Sequence, residues 1–236
     1  MPRHVAIADD TNIDRAIIAG DPDRIHYFAT LLPGSELLST KRGLVCYRAA
    51  INGTPLLLVA HGIGAPSTAI VLQELIDTGV KKVIRVGSAG ALRRELGVGA
   101  IVIPTGVFAR DGVSLQMVPA GFPAVPDLDL THGLKAECDC KGIPAKTGLI
   151  LASDVYYHAP LKADFDQYPQ YGIDAVEMEC SAVFVIAHLR QVKAAAILVI
   201  DGSPLFWKEG LYDNSWETLK PSFDNAFDIA CRAIVA

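Results

Sequence analysis

Apolar residues along the chain follow two rhythms. Short, nearly continuous runs of aliphatic and β-branched residues recur at 16–19, 83–86, 100–104, 149–152 and 194–200. This is the pattern of strands buried on both faces. Between them, apolar positions three and four apart predict helices over 25–32, from Pro66 through Ile76, over 127–141, from about Cys180 to Leu189, and over 217–235. Asn52-Gly53 separates the runs 45–50 and 56–60 and predicts a β-hairpin. Residues 105–126 carry Gly112, Pro119, Gly121, Pro123 and Pro126 and read as irregular. Strands alternating with helices predict an α/β fold with a mostly parallel or mixed central sheet.

The polar residues that break this pattern carry the candidate chemistry. Arg85 interrupts the run 83–86, and Gly87-Ser88-Ala89-Gly90 follows, where the strand is expected to end. A guanidinium in a buried strand needs a partner. Two readings stand: a structural carboxylate elsewhere, or an oxyanion held by Arg85, Ser88 and the glycine-turn amides. Gly20-Asp21-Pro22-Asp23-Arg24 joins the first strand to a helix, a geometry that presents amides and a dipole end to an anion. Arg24 in that first turn opposes the dipole, which hints at use. Arg42-Gly43 precedes the hairpin, and His61-Gly62-Ile63-Gly64 leads into the next helix without matching a dinucleotide fingerprint. In Ala175-Val176-Glu177-Met178-Glu179 two carboxylates interrupt an apolar stretch. Strand alternation puts Glu177 and Glu179 on one side, either as surface ion pairs or as acceptors for sugar hydroxyls. Asp201 ends the most apolar strand, where open α/β sheets place ligands and where desolvation raises a carboxyl pKa. Tyr156, Tyr157 and Trp207 are aromatic candidates for the wall of a flat ligand.

Composition narrows the partners. Of 236 residues, 51% are hydrophobic and 20% charged, enough for one globular domain with a large core. A net charge of −5, without long basic runs, argues against a nucleic-acid or membrane-surface partner. No apolar run has membrane-span length, and Met1-Pro2-Arg3-His4 does not open a signal peptide, so a cytoplasmic location is expected. Five scattered cysteines suggest reduced thiols, and Cys138-Asp139-Cys140 lacks the second pair a metal site needs. The groups sort into an anion cradle, hydroxyl acceptors and a lone acid beside aromatics. An anion, a polyol and a flat base in one pocket describe a nucleoside with phosphate.

Gly20-Asp21-Pro22-Asp23-Arg24, Arg85-Val86-Gly87-Ser88-Ala89-Gly90 and Val176-Glu177-Met178-Glu179 resemble, in order and spacing, three signatures of the trimeric-to-hexameric nucleoside phosphorylases. The resemblance runs from His4 to Trp207. Asp201-Gly202-Ser203-Pro204 followed by Trp207 is most similar to the apicomplexan and bacterial hexameric purine members. It implies a single α/β domain over 1–236 with a mixed, partly barrel-like central sheet flanked by helices. It implies phosphate-dependent, reversible cleavage of purine ribonucleosides in purine salvage, with orthophosphate as co-substrate and no cofactor or metal. By that resemblance Gly20, Arg24, Arg85 and Ser88 bind phosphate, with Arg42 from a neighbouring subunit. Glu179 and Met178 hold the ribose, with His4 from the neighbour on the 5′-hydroxyl. Tyr156, Val176, Glu177 and Trp207 line the base, and Asp201 is the catalytic acid at the purine N7. Shared residues imply a homo-oligomer, a hexamer built as a trimer of dimers. Uridine phosphorylase is the alternative, but Pro160 and Lys162 stand where it grips uracil with a glutamine and an arginine. A nucleosidase should lack the arginine cradle, and a nucleoside-binding protein without catalysis should lose the acid. The arginine that assists the acid in many bacterial purine members has no counterpart between Gly202 and Lys220, where Lys208 and Lys220 are the cations.

Overall fold

The apolar runs become the strands of one nine-stranded sheet, seen in a computed structural model that describes residues 3–7, 12–157, 165–210, 212–213 and 215–236. The strands are β1 (Arg15–Ala19), β2 (Glu36–Ser39), β3 (Cys46–Ile51), β4 (Thr54–Ala60), β5 (Lys82–Ala91), β6 (Ile101–Arg110), β7 (Ala145–Ser153), β8 (Ile173–Glu177) and β9 (Lys193–Gly202). Their order is β2-β3-β4-β1-β5-β8-β7-β6-β9, and β9 pairs again with β5. Five strands therefore close into a barrel, and β1 to β4 extend it as an open wing. Pairing is mixed: β5 runs parallel to β1 and β9 but antiparallel to β8, and β6 is antiparallel to β9. The expected single α/β fold with a partly barrel-like mixed sheet is the fold observed.

Among the described residues six α-helices flank the sheet: α1 (Pro22–Thr30), α2 (Gly64–Asp77), α3 (Gly112–Met117), α4 (Leu128–Cys140), α5 (Cys180–Leu189) and α6 (Trp216–Val235). Strand alternation sorts neighbouring residues onto opposite layers. Ile18, Leu57, Val59 and Val83 pack with Val71 and Leu72 of α2 and Val183 and Ile186 of α5. Ile17, Leu58, Ile84 and Val86 pack with Phe28 of α1, Leu134 of α4 and Phe223 and Phe227 of α6. Arg85, two residues on from Val83, thus faces the layer of α2 and α5. No helix among the described residues is long and apolar enough to cross a membrane, and the five cysteines are free.

Two expectations need correction. β5 does not end at Gly87 but runs on through Ala91, because the glycines admit close neighbours instead of turning the chain. An ideal Cβ at Gly90 would lie 2.9 Å from Pro204 Cδ. The stretch 105–126 is not wholly irregular: β6 continues to Arg110 and α3 follows, its N-cap Asp111 accepting from Ser114 N at 2.7 Å. Pro104 sits in β6 beside a register shift between Pro104 and Gly106, so its missing N–H does not stop the strand.

Candidate active site

Arg85 lies where the N-termini of α2 and α5 converge, and it is 3% exposed. Its Nη2 donates to Glu179 Oε2 and lies 3.3 Å from Glu177 Oε2. The carboxylate partner is therefore present, yet Arg85 Nε and Nη1 are buried without any partner. Buried donors without acceptors are rare and call for a ligand or a functional reason. The guanidinium folds back over Gly87, where an ideal Cβ would stand 1.4 Å from Nη1. Only glycine leaves that space.

The two glutamates reach Arg85 differently from expectation. β8 ends at Glu177, and Glu179 occupies the N-cap of α5, so they are not alternating residues of one strand. Both oxygens of Glu177 accept from Cys180 N, at 3.1 and 2.9 Å, and Oε2 also accepts from Glu179 N at 2.9 Å. With its side chain 1% exposed, Glu177 braces the start of α5 and is closed to a base or a sugar hydroxyl. Glu179 accepts from Gly64 N at 2.7 Å through Oε1, and each of its oxygens keeps lone pairs for further donors. Burial raises the Glu177 pKa to about 7, with Arg85 opposing and the Glu179 charge adding to the rise. Burial also works against a charge on Glu179, but Arg85 and the Gly64 amide outweigh it and hold that carboxyl below its ordinary value. Met178 and Val176 are half-buried on either side of Glu177.

Arg24 lies with its guanidinium 3.9 Å from the centre of the Phe223 ring, a cation–π seat on α6. Its Nε is likewise buried without a partner. Burial lowers its pKa to about 10, with Asp21 opposing, so it remains a cation near neutrality. Gly20 makes the close approach between β1 and the loop after β4, since an ideal Cβ there would be 3.0 Å from the Gly62 carbonyl and 3.6 Å from His61 Cε1. His61 is a site residue that the sequence reading passed over. It is fully buried, its Nδ1 is 2.9 Å from Thr68 Oγ1, and its Nε2 has no partner. Burial and the nearby Arg85 lower its pKa to about 3, so the ring is neutral. A histidine closing the apolar run 56–60, just before Gly62, was the available signal.

Asp201 is aimed by a bulge. Ala89 pairs with Ile200 and Gly90 with Gly202, leaving Asp201 as the extra residue of β9. Its pKa is raised by burial, against a hydrogen bond from Ser88 and the field of Arg24. Ser88 thus turns its hydroxyl toward the acid. The Tyr156 phenol is pushed up to about 12 by the desolvation of its hydroxyl, by a hydrogen bond with Tyr212 and, more weakly, by the charge of Asp201, while most of the ring is exposed. Ser203 Oγ donates to Ala91 O at 2.7 Å and accepts from Phe206 N at 3.1 Å, fixing the turn that leads to Trp207. The Trp207 side chain, Pro160 and Lys162 lie outside the described residues.

Two expected site residues stand apart. Arg42 is exposed in a short turn, Lys41–Gly43, with φ of 59°, a backbone conformation that non-glycine residues seldom adopt. His4 is held at the far end of α2, its Nδ1 2.6 Å from Glu74 Oε1. Lys41 Nζ donates to Arg3 O at 2.5 Å, so these segments meet each other rather than Arg85. Among the described residues, no group of three or more His, Cys, Asp or Glu side chains could hold a metal ion.

The arrangement joins two partly unpartnered guanidinium groups, a carboxylate able to accept from hydroxyls, and a carboxyl group whose pKa burial raises. The chain as a whole has parallels in known proteins. The chain is 32% identical over 217 residues to the purine nucleoside phosphorylase of Plasmodium vivax, covering 91% of this chain and 89% of that one. It is 32% identical over 228 residues to the uridine phosphorylase of Treponema pallidum, covering 92% and 87%. The crystal structure of Toxoplasma gondii purine nucleoside phosphorylase in complex with immucillin-H superimposes with a TM-score of 0.95 at 28% identity, over 99% of this chain and 94% of that one. A family profile described as the phosphorylase superfamily matches residues 14–234, every strand of the sheet and the helices but for the last residue of α6, and the chain belongs to that superfamily.

Proposed function

We propose that this protein is a purine nucleoside phosphorylase, transferring ribose from a purine ribonucleoside to orthophosphate in purine salvage. The observation that carries the reading is Asp201, a half-buried and bulge-aimed acid set against two partly unpartnered arginines. In this reading Gly20, Arg24, Arg85 and Ser88 cradle phosphate, joined by Arg42 of a neighbouring subunit. Glu179 and the Met178 backbone take the ribose hydroxyls, and His4 of the neighbour takes the 5′-hydroxyl. Tyr156, Val176 and Trp207 flank the base, while Glu177 supports Arg85 and α5. Orthophosphate is the co-substrate, no cofactor takes part, and the enzyme works in the cytoplasm as a hexamer.

The chemistry follows from the charges. As the C1′–N9 bond of the nucleoside breaks, its electron pair leaves with the purine and positive charge grows on the ribose. Phosphate held against the sugar stabilises that charge and forms the new C1′–O bond. Asp201 delivers a proton to N7, draining charge from the leaving base. Holding the two reactants within attack distance supplies much of the remaining rate. A base-side carboxyl acid suits a purine, which offers N7, and favours it over uracil.

The test is turnover of inosine, guanosine, adenosine and uridine with and without orthophosphate. Phosphate-dependent release of purine and ribose 1-phosphate is expected, with inosine or guanosine ahead of uridine. Undiminished cleavage without phosphate would make the protein a hydrolase, and uridine as the best substrate would overturn the purine assignment.

A further inference from the structure

Glu74 lies on α2, ten residues beyond Gly64, and at 1.5 Å per residue is about 15 Å from the amide that meets Glu179. Its carboxylate gathers four donors from the other end of the chain. Arg3 N lies 3.0 Å from Oε1, and His4 N and Val5 N each lie 2.9 Å from Oε2. His4 Nδ1 is 2.6 Å from Oε1. Three successive amides around one anion form a nest. Chain termini are ordered only when tied down, and this tie is made by one charged side chain about 70 positions away.

The ring contact fixes more than position. A carboxylate only accepts, so His4 Nδ1 must carry the hydrogen, and in the neutral ring Nε2 is then a bare acceptor facing away from Glu74. An acceptor at that point suits a hydroxyl. The tie of Lys41 Nζ to Arg3 O joins the segment to the turn bearing Arg42, so one surface unit carries both residues expected to serve a neighbour.

We propose that Glu74 is a positioning residue that holds His4, through its Nδ1 and the amides of residues 3–5, so that Nε2 accepts from the 5′-hydroxyl of a nucleoside in a neighbouring subunit's site. The inference rests on the phosphorylase reading and adds to it the residue that sets 5′-hydroxyl preference from outside the pocket. It is tested in the full oligomer by comparing inosine with 5′-deoxyinosine, both with phosphate. Glu74→Gln should reduce kcat/KM for inosine about 3–10-fold, the weight of one hydrogen bond, mainly through KM. It should lose less on 5′-deoxyinosine, so the preference between the two falls. His4→Ala should lower that preference alike, the double variant should add nothing further, and Glu74→Asp should recover part of it. Equal losses on both substrates would make Glu74 only a staple for the N-terminus and overturn the proposal. So would a preference that His4→Ala abolishes and Glu74→Gln leaves intact. Should Glu74→Gln fail to assemble, the His4 side-chain nitrogen resonances of the wild-type enzyme decide: a bare Nε2 that shifts on binding inosine but not 5′-deoxyinosine is expected, and a protonated or unresponsive Nε2 overturns the proposal. Wild-type enzyme that cleaves inosine without phosphate would instead overturn the phosphorylase reading, whatever the variants do.

Discussion

Asp201 shows how one residue can serve activity against stability. Burial raises its folded-state pKa above the ordinary 3.8. The folded protein therefore holds this proton more tightly than the unfolded chain. That contribution is fully present below the ordinary pKa and is lost as pH rises through the raised one, above which the folded protein holds a poorly solvated charge. Asp201→Asn keeps the shape and removes the charge. Its melting temperature should exceed that of the wild type at pH 7–8, and the gap should close as the pH falls toward 4. The same variant cannot deliver a proton, so turnover of inosine should fall by about 10²–10⁴-fold. A ribosyl donor whose leaving group needs no protonation should lose much less. A melting-temperature gap that does not change with pH would mean that Asp201 is not the titrating group.

At the scale of the element, β5 is the sharpest case. A glycine pair in a strand reads as its end, yet Gly87 is an interior residue whose missing side chain houses the Arg85 guanidinium. Gly87→Ala should therefore displace Arg85, destabilise the fold by about 1–3 kcal/mol as overpacking does, and remove most phosphate-dependent turnover. Gly97→Ala, with nothing within 4 Å of its would-be Cβ, should leave the urea midpoint nearly unchanged and serves as the control. This case marks where the sequence is legible. Strand and helix positions followed from local apolar periodicity; Arg85, Glu179 and Asp201 stood out as polar residues at the ends or in the middle of apolar runs, and Arg24 as a cation opposing a helix dipole. What decides Glu177 is the place of the strand-to-helix joint: β8 stops there, so the amides two and three positions on turn back onto its oxygens, where an unbroken strand would have carried them past. The bulge at Asp201 and the buried face of His61 depend on β5 and β1 coming alongside. The continuation of β6 past Pro104 depends on its register with β7.

At the scale of the whole molecule, the residues that the phosphorylase reading assigns to the site fall on two surfaces. Arg24, Arg85, Glu179 and Asp201 gather where α2 and α5 begin and β9 ends. His4 and Arg42 are joined through Arg3 and Lys41 at the other end of α2. In a symmetric pair of subunits each surface can meet its counterpart on the other chain, because an isologous contact repeats itself by the two-fold axis. The arrangement predicts complementation. Arg42→Ala subunits lack the donated arginine, and Asp201→Asn subunits lack the acid. When the two variants exchange subunits, each mixed pair contains one site with both functions intact and one with neither. Random pairing from equal amounts makes half the pairs mixed, so about a quarter of the sites should recover. Activity should rise from the level of the two parents toward about a quarter of the wild-type value as exchange proceeds, followed by phosphate-dependent turnover of inosine. A mixture that stays as inactive as its parents after mass spectrometry confirms mixed oligomers would mean that each chain builds its site alone, and the contribution of Arg42 across the boundary would have to be given up.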